Sequence, residues 1–171
     1  LNARDSYGRT PLMVAAYKSR IDAATALIAA GADLDALEND RYDVVTISSV
    51  ANDVKMLKLV LESGAKAGQM TSPYDGTALI AAAHLGHVDV VKALIAAGAP
   101  LDHVNNLNWT ALIESIVLGD GGSNHVACLT ALIEAGADVN IADGNGVSPL
   151  QLAERHGFDE MVRLLKAAGA K

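Results

Sequence analysis

The side chains best suited to chemistry in this 171-residue chain are its five histidines and its single cysteine. His84 and His87 lie three apart, His125 falls in register with His87 one structural period later, and Asp120 stands five residues before His125. Gathered in space, three imidazoles and a carboxylate would suit a zinc-like ion, which takes neutral ring nitrogens and carboxylate oxygens as ligands. A metal-linked site at His84, His87 and His125 is therefore one reading, although no cysteine pair or acidic ligand reinforces the spacing. Cys128 is in register with Val90, an apolar position, and is expected to be a small buried hydrophobe. Combinations of Ser, His and Asp occur without the strand-to-helix turn that presents a nucleophile. Gly144-Asn145-Gly146 and Gly119-Asp120-Gly121-Gly122 follow no strand, so neither reads as a phosphate loop. No catalytic, cofactor or metal residue is assigned, and the chain is read as non-enzymatic.

The elements that would position any site are set by a repeat. Gly-Ala recurs at Gly31-Ala32, Gly64-Ala65, Gly98-Ala99, Gly136-Ala137 and Gly169-Ala170, at spacings of 33, 34, 38 and 33 residues. A period near 33 marks a stacked array in which no unit covers its own apolar face. Within each unit Thr10, Asp43, Thr77, Thr110 or Ser148 supplies a side-chain oxygen suited to capping a helix start. Pro11 and Pro149 follow at the first helical position, where a missing N–H costs nothing. About eight residues of short helix run to a break at Ser19, Asn52, Gly86, Gly119 or Gly157. A second helix ends in an apolar pair such as Leu27-Ile28 or Leu94-Ile95, and the Gly of Gly-Ala supplies a left-handed cap. Ala15-Ala16 and Ala82-Ala83 share the inner-helix slot where small side chains allow close stacking, with Ser48-Ser49 and Ser115-Ile116 as looser equivalents.

Composition narrows the function classes. A net charge of −7 and a pI near 5.0 argue against nucleic acid as a partner, which needs a basic stripe. No segment approaches the roughly 18 apolar residues of a membrane span. One cysteine excludes an internal disulfide framework. The compartment stays open: cytoplasm, or periplasm for a chain whose leader has been removed.

The phrases Asp5-Ser-Tyr-Gly8-Arg-Thr10-Pro11-Leu12, Gly86-His87-Val88-Asp89-Val90-Val91 and Gly136-Ala137-Asp138-Val139-Asn140 resemble the ankyrin repeat. The resemblance covers essentially the whole chain as five repeats, about 5–37, 38–71, 72–104, 105–142 and 143–171. Residues 1–4 read as the tail of an upstream repeat. It implies an all-α solenoid of helix-turn-helix units joined by hairpin-like loops. The Ala-rich Leu-Ile-Ala-Ala-Gly-Ala is similar to bacterial members. Repeat 2 departs most, with Arg41 in place of the turn Gly and Asp43-Val44-Val45-Thr46 in place of Thr-Pro-Leu-His. The motif His after the Leu is missing throughout (Met13, Thr46, Ile80, Ile113, Gln151), whereas His87 and His125 sit where the motif has a structural His. Repeat 4 carries five extra residues within Asp120–Asn124, expected between its helices as an elongated turn or a binding element. The charged face of repeat 5 (Glu154, Arg155, Asp159, Glu160, Arg163, Lys166) reads as a cap.

The resemblance also implies that hairpin tips and first helices form a concave, protein-binding face. Five slots per repeat point there: four, three and one residues before the capping residue, and seven and eight after it. These 25 slots hold all four tyrosines and the tryptophan, where chance would put fewer than one of the six aromatics. Such rings anchor interfaces because they bury large area with few rotors; the plainer reading is that they pack across neighbouring hairpins. The partner-binding set is Tyr7, Arg9, Tyr17, Lys18, Asp40, Tyr42, Tyr74, His84, Asn106, Leu107, Trp109 and Val117. Arg9 and Lys18 make repeat 1 cationic while Leu107, Trp109 and Val117 make repeat 4 apolar, which suits a segment acidic at one end. Glu114 is expected as a solvated groove charge, or one touching Gly121-Gly122.

Three roles follow for test: a protein-interaction module, a scaffold or spacer segment of a longer repeat protein, and the metal-linked site. Leu12, Ile21 and Leu27 of repeat 1 are expected to be left uncovered by the absent upstream unit, giving a surface for self-association.

Overall fold

The capping oxygens do what their position demands. Thr10, Asp43, Thr77, Thr110 and Ser148 are extended, and each accepts a bond from the N–H three residues on. The helices they open are α1 (Pro11–Tyr17), α3 (Val44–Val50), α5 (Ala78–Leu85), α7 (Ala111–Val117) and α9 (Pro149–His156). Each is followed by a second helix: α2 (Ile21–Ala29), α4 (Val54–Glu62), α6 (Val88–Ala96), α8 (Ser123–Glu134) and α10 (Asp159–Ala167). The computed structural model describes residues 1–171 and contains these ten helices and no strand. Where the motif His is missing, the third helical residue returns the capping bond in two repeats. Met13 sulfur accepts from Thr10 N–H, and Gln151 Oε1 from Ser148 N–H.

First helices stack in one row and second helices in another, α3 lying between α1 and α5, and α6 between α4 and α8. One continuous apolar core runs between the rows, with Leu79, Leu94, Leu129 and Leu132 fully enclosed. Enclosing such a side chain contributes roughly 1.5–3 kcal/mol. Every second helix closes alike: the N–H of Ala32, Ala65, Ala99, Ala137 or Ala170 bonds a carbonyl one turn back, across a left-handed Gly.

The hairpins are held by a polar residue five positions before each cap. Asp5, Glu38, Ser72, Asn105 and Asp143 each accept two backbone N–H bonds from their own tip. The tip also needs a left-handed residue, supplied by Gly8 and Gly146 but by Arg41, Asp75 and Asn108 in the middle repeats, at φ of 64°, 52° and 61°. Neighbouring tips are joined by backbone bonds, Asn39 N–H to Tyr7 O, Ser72 N–H to Arg41 O and Asn106 N–H to Tyr74 O. No such bond joins the fourth tip to the fifth.

Two expectations are corrected here. The extra residues of repeat 4 are not simply an elongated turn: α8 runs 12 residues where the other second helices run nine, so most of the insertion has become a further turn of helix. Asp120 Oδ1 accepts the Gly122 N–H at 2.8 Å and meets His125 Nδ1 at 2.8 Å, while Gly121 lies so close to the Phe158 ring of repeat 5 that a Cβ there would stand 2.4 Å from it. Leu12 is not uncovered; it is 1% exposed beneath its own repeat and the next, while Ile21 and Leu27 are half-buried.

Candidate functional site

Tips and first helices of repeats 2 to 4 converge on one hollow of about 230 Å³. Its walls are Tyr42, Val50, Tyr74, Ile80 and Leu85, with Thr46, Thr71, His84, Asn105 and Glu114 supplying the polar groups. No lysine or arginine lines it. The elements explain the placement. Tyr42 and Tyr74 stand on hairpins whose amides are clamped by Glu38 and Ser72, so both rings are carried on backbone already fixed. His84 and Leu85 end α5, and Glu114 comes from the first turn of α7.

The floor is unusual. Glu114 was expected as a solvated charge, but its side chain is only 5% exposed and it does not reach Gly121-Gly122. Its neighbours are small or apolar, since α7 must pack between α5 and α9. Asn105 Nδ2 donates to Glu114 Oε1 at 2.9 Å, while Asn105 Oδ1 holds the Leu107 and Trp109 amides. Oε2 is buried with no hydrogen-bond partner, and His84 Nδ1 stays 3.5 Å away. Burial pushes the Glu114 carboxyl above its ordinary value, opposed by the Asn105 bond. His84 is pulled down, first by burial and then by the nearby His125.

Because the carboxyl titrates higher in the fold than in the unfolded chain, stability is greatest with Glu114 protonated and falls as pH rises through its raised value. Glu114→Gln keeps the Asn105 contact and removes the enclosed charge. Its Tm should exceed the parent's by roughly 2–4 °C at pH 8, what about 1 kcal/mol means for a chain this size. The gap should close towards pH 4, near the ordinary carboxylate range. Thermal melts at both pH values check this; a lower Tm at pH 8 would contradict it.

The other named residues divide. Tyr7 and Tyr17 are exposed in repeat 1 and gather around Arg9, whose guanidinium lies 4.5 Å from the Tyr7 ring centre and 5.7 Å from that of Tyr17. Arg9 also pairs with Asp5 at 2.7 Å, so its charge is partly matched within the repeat. Lys18 and Asp40 are exposed. Asn106 donates to Pro73 O and Leu107 is exposed, whereas Trp109 and Val117 are half-buried against the core. Of the named residues only Tyr42, Tyr74 and His84 meet in the hollow. Glu114, Asn105, Thr46 and Thr71 complete it.

The histidines do not form a metal centre. His87 Nδ1 is bonded to Ser49 O at 2.9 Å, and His125 Nε2 to His84 O at 2.8 Å. No three His, Cys, Asp or Glu side chains converge as ligands. Cys128 is buried among apolar side chains, which push its thiol up to about 11.

The family model described as Ankyrin repeats (3 copies) matches residues 44–143, and that for a single Ankyrin repeat matches 7–39. The chain belongs to the ankyrin repeat family. It is similar to YahD of Escherichia coli strain K12, named as an ankyrin repeat protein. The two are 34% identical over 99% of this chain and 85% of YahD. Among solved structures it is similar to an ankyrin repeat domain of Acinetobacter baumannii AYE, with a TM-score of 0.95 and 46% identity over 99% of this chain and 86% of that one. The ankyrin repeat protein EF0377 superposes with a TM-score of 0.89 and 30% identity, over 95% and 82% of the two chains. The expected all-α solenoid and the bacterial kinship are both found. Ankyrin repeats are in general non-enzymatic protein-interaction modules.

Proposed function

We propose that this chain is a protein-binding module whose partner lies along the tips and first helices, across repeats 1 to 4. The observation that carries this is the hollow itself. Residues from three hairpins and three first helices, far apart in sequence, line one recess that has two phenol rings in its wall. Preformed backbone lowers the entropy lost on association, and aromatic walls supply the area that anchors a bound segment. The contact set is Tyr7, Arg9, Tyr17, Lys18, Asp40, Tyr42, Tyr74, His84, Asn106, Leu107, Trp109 and Val117. Neither the scaffold role nor the metal-linked role has an observation of its own in favour.

The test is capture from a lysate of the source organism on the immobilised chain. Proteins retained by the parent should be lost with Tyr74→Ala/Trp109→Ala and kept with Lys58→Glu/Lys92→Glu, which alters exposed positions on second helices. Equal retention by the aromatic double variant would overturn the proposal.

A further inference from the structure

The hollow holds an imbalance that the fold does not resolve. Glu114 brings a carboxylate to its floor, one oxygen is satisfied by Asn105, and the other is buried without a hydrogen bond, His84 Nδ1 standing 3.5 Å away. A buried carboxylate oxygen without a hydrogen bond is a costly arrangement, which a donor entering the recess would relieve by displacing the half-exposed His84 ring beside it. The rim adds no permanent counter-charge: no lysine or arginine lines the recess, and His84, 3.5 Å from Oε2, is held towards its neutral form by burial and His125. Burial, then Asp40 and Glu38, raise the Tyr42 phenol, in keeping with an electronegative wall.

We infer that the recess takes a lysine side chain of the bound partner segment, its ammonium donating to Glu114 Oε2. This rests on the protein-binding reading above and adds the chemistry of one anchor. Three features favour lysine over other donors. The walls formed by Val50, Ile80, Leu85 and the two tyrosine rings suit a stem of four methylenes. A cation beside aromatic rings gains further attraction from their faces. Only one carboxylate oxygen lacks a hydrogen bond, which suits a compact ammonium; an arginine fork binds best to two free oxygens side by side. The hydroxyls of Thr46 and Thr71, bonded to each other at 2.9 Å, lie in the same recess as further acceptors.

The experiment titrates the isotopically labelled 171-residue chain with the pentapeptide Ac-Ala-Ala-Lys-Ala-Ala-NH2, following the Glu114 side-chain carboxyl and the amides of residues 46, 71, 74 and 84 by NMR. Saturable shifts confined to these groups are expected. Affinity should fall at least about tenfold, a change of some 1.4 kcal/mol, when the lysine is acetylated or replaced by norleucine. It should fall by a smaller but measurable factor with arginine. Glu114→Gln should lose the lysine preference while its Tm stays at or above the parent's. No saturable shift at the hollow, equal binding of the acetylated peptide, tighter binding of the arginine peptide, or an unchanged preference in Glu114→Gln would each overturn the inference. The two readings fail separately. A partner released by Tyr74→Ala/Trp109→Ala but held undiminished by Glu114→Gln keeps the binding face and removes the lysine. Retention by both variants removes the face as well.

Discussion

Leu79→Ala should destabilise the array by about 3 kcal/mol, within the range of roughly 2–5 kcal/mol for emptying a fully enclosed leucine site. Leu79 is 0% exposed on α5, which packs against α3 on one side and α7 on the other. The cavity therefore weakens two junctions at once, and its walls are helices that cannot close on it without leaving their neighbours. A drop of roughly 6–12 °C in Tm follows for a chain of this length. In a stack held by nearest neighbours, a weak central repeat also uncouples the two ends. Denaturant unfolding followed by Trp109 fluorescence, which reports repeat 4, should then part from unfolding followed by circular dichroism. Coincident curves with a loss under about 1 kcal/mol would show that the core there relaxes far more than its enclosure implies.

Gly119→Ala should be nearly as damaging for a different reason. A Cβ at residue 119 would stand 2.1 Å from the Ser115 carbonyl oxygen and 2.9 Å from the His125 ring. The first obstacle is backbone and cannot swing away, so either α7 must shift or the loop into α8 must be rebuilt. Overpacking of this kind costs about 1–3 kcal/mol, and the upper part of that range is expected. Gly98→Ala is the matched control. Gly98 has φ of 79° but nothing within 4 Å of its Cβ position, leaving only the left-handed penalty of about 1 kcal/mol. Urea midpoints of the two variants should differ accordingly. A Gly119→Ala midpoint no lower than that of Gly98→Ala would mean that the loop has an alternative path.

The solenoid was readable because its determinants repeat. Capping oxygens, Gly-Ala closures and enclosed leucines recur at one period, and each acts within its own unit. Tyr42, Tyr74 and His84 were readable for the same reason, as slots counted from the cap. Glu114 was visible only as an anomaly, a charge where Val14, Ile47, Ala81 and Leu152 stand in the other repeats. Its direction is set by Asn105, which faces it from the preceding hairpin, and by α5 and α9 on either side; none of these leaves a periodic trace. The Thr46–Thr71 pair, 25 residues apart, escapes a repeat-by-repeat reading in the same way. The insertion is located by sequence within Asp120–Asn124 but reads there as loop, because counting residues cannot tell a longer loop from a longer helix. Asp120 holding the Gly122 amide and His125 decides that in favour of helix.

The backbone bonds between hairpin tips work like stitches along one margin, three in place and the fourth left open. The seam between the fourth and fifth units is fastened elsewhere, by α7 against α9, α8 against α10, Gly121 beside the Phe158 ring and the Lys171 N–H donated to Asn140 Oδ1. The three units whose hairpins and first helices enclose the recess floored by Glu114 are therefore all joined along the stitched part of that margin.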